Sequence, residues 1–166
     1  MVGSMSEQKI NLYPVIIFFL FLVGGAWFVS NYGTHGTEYS GHLSILTDNG
    51  DYHEFTVEIA TSPEKMKAGL MFRDSLSEDH GMLFVYPNIG ETAMWMKNTK
   101  IPLDMLFIDA TGKIVHVHEN AHPYDETPIP SRFPVKATLE IKGGQAALLG
   151  IKAGDRVESP FFKDAN

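Results

Sequence analysis

The chain has no cysteine among its 166 residues. That one absence removes disulfide staples, thiolate metal centres and a cysteine nucleophile. Positive charge is also short: 13 Lys and Arg stand against 20 Asp and Glu, for a formal net charge of −7. No basic run or clustered arginine face offsets the deficit, so a nucleic-acid partner is not expected and anionic lipid headgroups are disfavoured. The length allows one domain. Once the N-terminal apolar stretch is set aside, about 130 residues remain, enough for one real core.

The chain has one long apolar run. Leu12 to Val29 carries no charge, is preceded by Lys9 and is followed by a small polar stretch. A membrane span needs roughly 17 to 25 apolar residues and a signal-peptide core about 7 to 15, so the length favours an uncleaved anchor over cleavage after Ala26. The expected organisation is a signal anchor or signal peptide over residues 1–30, a flexible tether over 31–41 and a single β-rich domain over 42–166. Lys9 on the short N-terminal side directs that end to the cytoplasm. The domain would then be extracytoplasmic, periplasmic or at the cell surface, tethered to the membrane or secreted after cleavage.

Within the domain, period-two alternation dominates. Leu43 and Ile45, then Phe55, Val57 and Ile59, alternate with polar residues across the turn Asp48-Asn49-Gly50-Asp51, which predicts a hairpin. Thr61-Ser62-Pro63-Glu64 opens a short helix near Pro63–Met71, capped by Thr61 with Glu64 or by Ser62 ahead of Pro63. Met82–Tyr86 reads as a buried strand, and LDMLFID (residues 103–109) as another whose hairpin partner is Lys113–His118. Prolines 123, 128, 130 and 134 predict a long surface loop without a regular ladder. Lys136–Ile141 and Arg156–Glu158 complete the strands, with a brief turn or helical piece after Gly143-Gly144. About eight short strands and one short helix indicate a mainly β fold, a small β sandwich or squat barrel.

The densest polar chemistry falls in Trp95–Asp109, where Trp95, Lys97, Asn98, Thr99 and Asp104 offer an aromatic face, a cation, an amide, a hydroxyl and a carboxylate ahead of the buried strand. No nucleophile triad, phosphate loop or zinc motif appears there. Pro102 has no backbone donor and restrains Ile101, so Asn98–Ile101 should leave the sheet as a loop. Arg73, Lys97, Asp104 and Glu140 sit beside apolar residues, where an unpaired charge costs several kcal/mol, so each should find a partner in a salt-bridge network or at a ligand. Asp104 is expected at the mouth of its strand, countered by Arg73 or Lys97. Trp95 reads as a core anchor or, as the sharper alternative, a stacking platform. Met71, Met82, Met94, Met96 and Met105 are soft thioethers whose commoner role is core filling. His116, His118 and His122 form an H-x-H-x-x-x-H pattern without the acids of a known metal site, and no metal or cofactor is expected.

These blocks, VEIA with Pro63-Glu64, GLMFR (69–73), GMLF (81–84), WMKNT (95–99), IPLDMLFID (101–109), Ser131, LEI (139–141) and Gly154-Asp155, resemble a known family, domain of unknown function 192. The resemblance spans roughly Phe55 to Val157. It implies a mainly β, sandwich-like domain often found behind a signal peptide or anchor, and it supplies no activity. Side-chain chemistry at the motif positions gives Arg73, Trp95, Lys97, Asn98, Thr99, Asp104 and Glu140 as candidate ligand-binding residues. The expected function is a monomeric binding module for a small polar ligand or protein partner. The alternative is a hydrolase- or lyase-type enzyme using Asp104 and Glu140.

Overall fold

The computed structural model describes residues 41–162. The expected anchor and nearly all of the tether lie outside them. No helix among the described residues is long and apolar enough to cross a membrane.

Strands β1 (Gly41–Leu46) and β2 (Tyr52–Ala60) form the expected hairpin, with Leu43 opposite Phe55 and Ile45 opposite His53. Helix α1 (Pro63–Ala68) starts at Ser62, whose hydroxyl accepts the Lys65 N–H at 3.3 Å, so of the two available caps the one before proline is used. It stops short of Met71 because Gly69 turns the backbone to φ 47°. With α1 as the crossover, β3 (His80–Gly90) returns parallel to β2, setting Met82 beside Glu58 and Phe84 beside Ala60.

The remaining elements are β4 (Ala93–Met94), β5 (Leu103–Ile108), β6 (Ile114–Ala121), β7 (Ile129–Pro130), β8 (Val135–Lys142), α2 (Gln145–Leu149) and β9 (Arg156–Glu158). Seven strands make one sheet in the order β6-β5-β8-β3-β2-β1-β9, and β4 pairs with β7 apart from it. That small pair draws Ile129–Pro130 out of the proline-rich stretch expected to be all loop; its two-residue length spares the proline a central ladder position.

The long sheet is curled. Its two edge strands meet at one end, where Lys113 bridges Arg156, the Ile114 N–H donates to the Asp155 carbonyl at 2.8 Å and the Val157 N–H donates to the Gly112 carbonyl at 2.7 Å. The architecture is therefore a mainly β half-barrel made from one sheet. It answers to the squat-barrel alternative, since a sandwich needs two stacked sheets.

Curling gives the sheet two unequal faces. The concave core gathers Leu43 and Ile45 of β1, Phe55 and Val57 of β2, Leu106, Leu139 and Val157, so that both sheet edges contribute to it. A second core of Leu70, Met82, Phe84, Met96, Met105 and Phe107 lies on the outer side, beneath α1 and the long loops. Strands β3, β5 and β8 are thus buried on both faces. Gly81 permits the close approach of β3 to β8, since a Cβ there would lie 2.6 Å from the Glu140 carbonyl oxygen.

Candidate functional site

Strand β8 sends Ala137, Leu139 and Ile141 to the concave core and Thr138 and Glu140 to the outer face. Its register with β3 and β5 lines up Glu58, Met82, Glu140, Met105 and His118 as one row across five strands of that outer face. The next row holds Ala60, Phe84, Thr138, Phe107 and His116. In this second row His116 stacks on Phe107 with centroids 5.6 Å apart, and burial holds its imidazole below the usual histidine range.

Arg73 reaches this face from the segment after α1. Both its terminal nitrogens donate to the Glu58 carboxylate, Nη2 at 2.8 Å from Oε2, in a bidentate pair whose side chains are 25% and 15% exposed. Glu140 differs. It is 4% exposed, and among the described residues no hydrogen-bond donor reaches its carboxyl. Burial pushes that carboxyl up to about 8 against the opposing field of Arg73, so at neutral pH it is mostly a neutral acid with a hydrogen to give. Nearby, the Tyr86 hydroxyl donates to Met94 Sδ at 3.3 Å and shares a 2.9 Å hydrogen bond with Thr138, and burial raises the phenol as well.

The loop above is tied down by its backbone. Asn98 takes φ 53°, a left-handed conformation that asparagine adopts more readily than most residues, and its carbonyl accepts the Phe72 N–H at 2.9 Å. This bond joins the GLMFR segment to the WMKNT segment. The Asn98 amide contacts Met71 Sδ only weakly, at 3.9 Å. Thr99 is buried; its hydroxyl donates to the Lys97 carbonyl at 3.2 Å and its own carbonyl accepts the Tyr124 N–H at 3.1 Å, so it shapes the loop.

Trp95 is 48% exposed, against its reading as a core anchor. The neighbouring Met96 fills the core position instead, fully buried. The Lys97 ammonium sits 5.3 Å from the Trp95 ring centroid and 3.9 Å from Glu126. Phe72, Tyr124 and Arg132, bulky residues that rarely take positive φ, adopt 64°, 63° and 63° in the segments bordering this face, and Phe72 and Tyr124 are also exposed.

Asp104 requires a correction. It lies opposite Ile141 and points into the concave side, whereas Glu140 lies opposite Met105 and points outward. The sheet therefore separates the two acids. Arg73 pairs instead with Glu58, and Lys97 lies near Glu126. Its oxygens accept the backbone N–H groups of Asn120 at 2.7 Å, Gly144 at 2.9 Å and Ala146 at 2.7 Å, so backbone at the start of α2 does what a cation was expected to do. Two other motif residues are likewise fasteners. Ser131 donates to the Phe133 carbonyl at 2.8 Å and accepts the Thr92 N–H at 3.1 Å, and Asp155 accepts the N–H groups of Asp48 at 2.9 Å and Lys152 at 2.7 Å.

Arg73, Asn98, Trp95, Lys97 and Glu140 thus share the outer face and its covering loop, with Thr99 beneath and Asp104 behind. Sequence reasoning missed Glu58, Tyr86 and Thr138. The signal for Glu58 was its alternation with buried Phe55 and Val57, which put it on the outer face of β2. Among the described residues no cluster of three His, Cys, Asp or Glu is placed to hold a metal ion. Two surface depressions lie elsewhere, one of about 360 Å³ beside His42, Glu54 and Asp79 and one of about 660 Å³ beside Thr111, Arg156 and Pro160.

Two solved structures are similar along most of this domain. A protein from Sinorhizobium meliloti 1021, described as a "putative transcription regulator", is 44% identical with a TM-score of 0.71, covering 73% of this chain and 94% of its own. A protein of unknown function from Novosphingobium aromaticivorans DSM 12444 is 42% identical with a TM-score of 0.69, covering 71% of this chain and 84% of its own. No curated protein matches the sequence. Residues 44–159 match the model of the DUF192 family, described as "Uncharacterized ACR", and with most of its length inside that match the chain belongs to this family.

Proposed function

We propose that this domain is a monomeric binding module for a small polar ligand, held on the outer face of the sheet beneath the Trp95–Thr99 loop. The observation that carries the reading is Glu140, a buried carboxyl without a donor, set beside an arginine whose position is fixed by Glu58. A mostly buried carboxyl that no protein donor meets takes its hydrogen-bond partner from outside the fold. The exposed Trp95 and the positive-φ residues of the bordering segments support the same place. Leu12–Val29 with Lys9 supports a tethered, extracytoplasmic setting.

The alternative of a hydrolase or lyase using Asp104 and Glu140 loses its pair to the sheet between them. The description of the Sinorhizobium protein raises a DNA partner, but the charge of −7 on this chain opposes one.

Amide-resolved NMR of the protein against a library of small polar fragments tests the reading. Shift changes should converge on Arg73, Trp95, Asn98 and Glu140. Fragments that gather instead around His42 and Glu54, or nowhere, overturn it.

A further inference from the structure

We propose that the seam of the half-barrel carries a second binding site, for a phosphate group, held by the Arg156 guanidinium and the Lys113 ammonium at the depression of about 660 Å³ beside β9. It shares no residue with the outer-face loop and stands whether or not that loop binds a ligand.

Lys113 and Arg156 lie directly opposite each other in the isolated antiparallel bridge that joins the two sheet edges. The bonds on either side, from the Val157 N–H to the Gly112 carbonyl and from the Ile114 N–H to the Asp155 carbonyl, make this a non-hydrogen-bonded pair. In such a pair the Cα atoms stand about 4.5 Å apart and the side chains leave on the same side. Two like charges so placed destabilise the ladder. The chain has few cations to spend, with a formal net charge of −7. Arg73, Lys97, Lys100, Lys142 and Lys152 each lie within ion-pair distance of a carboxylate, whereas among the described residues neither Lys113 nor Arg156 does. A purely structural bridge gains nothing from that arrangement, and an anion between the two cations removes its cost.

Arg156 lines the depression together with Thr111, Glu158, Ser159 and Pro160. Its Nη1 donates to the Thr111 carbonyl at 3.0 Å, which lays the half-buried guanidinium across the seam and leaves Nε and Nη2 without a bond among the described residues. A neutral carbonyl leaves the charge uncompensated. The Ser159 hydroxyl accepts the Phe161 N–H at 3.5 Å and keeps its own hydrogen to give, whereas the Thr111 hydroxyl is spent on Asp109 at 2.7 Å. The acids at hand are already engaged. Glu158 accepts the Tyr52 hydroxyl at 2.8 Å, toward β2 and away from Thr111, and Asp109 accepts the N–H groups of Thr111 at 2.8 Å and Lys113 at 3.0 Å.

Two cations match a dianion better than a monoanion. A phosphate group carries about −1.5 to −2 charges at neutral pH with three strong acceptor oxygens. The guanidinium fork takes two of them and the ammonium, a point charge, serves the third. The depression is larger than one phosphate ion fills, so a phosphate monoester fits as well as the free ion. An extended nucleic-acid backbone needs a run of such contacts, which this acidic chain does not provide.

Isothermal titration calorimetry of the full chain at low salt tests the site, with inorganic phosphate, glycerol 3-phosphate and acetate as probes. Saturable one-site binding of a phosphate probe is expected, at least tenfold tighter than acetate, and several-fold weaker when salt rises from about 20 to about 200 mM. Lys113→Glu turns the like-charge pair into an ion pair, so it should abolish phosphate binding while the phosphate-free melting temperature stays level or rises. Arg156→Gln should weaken binding at least tenfold. Should Arg156→Gln fail to fold by circular dichroism, Lys113→Gln, at an exposed side chain, should still weaken it several-fold. Tighter binding of glycerol 3-phosphate upholds the site and identifies a monoester as its ligand; tighter binding of inorganic phosphate upholds it for the free ion. Absence of saturable binding by both phosphate probes, binding indifferent to the Lys113 and Arg156 variants, or acetate binding as tight as phosphate overturns the proposal.

Discussion

Asp104 and Glu140 are acids buried on adjacent strands, 0% and 4% exposed, and they face opposite sides of one sheet. On the concave side, three backbone N–H groups close around the Asp104 carboxylate and fasten the start of α2 to β5. On the outer side, the Glu140 carboxyl meets methionines and the field of an arginine already engaged by Glu58. Burial alone therefore separates nothing. What distinguishes a fastener from a candidate site is whether the fold has already used up the acceptor oxygens.

The largest expected effect breaks the satisfied side. Asp104→Ala leaves three inward N–H groups without an acceptor and should lower stability in urea unfolding by roughly 3–5 kcal/mol. Fragment binding by the molecules that remain folded should be unchanged.

Next comes the unsatisfied side, where the sign is opposite. The folded-state value of Glu140 is raised above its ordinary 4.5 to about 8, so the folded protein holds a proton that the unfolded chain has released across that window. Stability from this group is full below about pH 4.5 and is lost as pH climbs through about 8. Glu140→Gln should match the wild type near pH 5 and exceed it at pH 9, by on the order of a few kcal/mol, in chemical denaturation at the two pH values. A variant less stable than wild type at pH 9 would show that the Glu140 carboxyl has donors after all.

Gly81→Ala sharpens the comparison through the backbone. Its methyl would press on the Glu140 carbonyl and move β8 from β3, at a cost of roughly 1–3 kcal/mol, and should disturb Glu140 more than Asp104. The smallest stability change belongs to Trp95→Ala. An exposed ring removed from a loop should shift the unfolding midpoint by no more than about 0.5 kcal/mol, yet weaken fragment binding.

Much of the fold was legible because period two survives in a half-buried sheet. Leu43, Ile45, Phe55 and Val57 marked the first hairpin, and Pro63 with Ser62 marked the helix. The parallel pairing of β2 with β3 was not legible, since apolar Met82–Val85 reads the same in either direction. Of the candidate site residues, Arg73, Asn98 and Glu140 were chosen for their chemistry, and they fall on the outer face and its covering loop. Asp104 was misplaced because its partners come from residues 120, 144 and 146, distant in sequence and invisible as backbone. Trp95 was misjudged for a related reason: adjacent residues in an irregular segment exchange inside for outside, and Met96 took the buried place.

The pairing of β1 with β9 has a mechanical consequence. The strands run antiparallel with Ser44 opposite Glu158 and Leu46 opposite Arg156, so the chain enters β1 and leaves β9 at the same end of their ladder. A pull applied across Gly41 and Glu158 would load that ladder as a zipper, one pair at a time, rather than shearing all its bonds together. Under tension β9 would peel before the buried strands β3, β5 and β8 felt the load, releasing Val157 from the concave core and opening the curl where Lys113 meets Arg156.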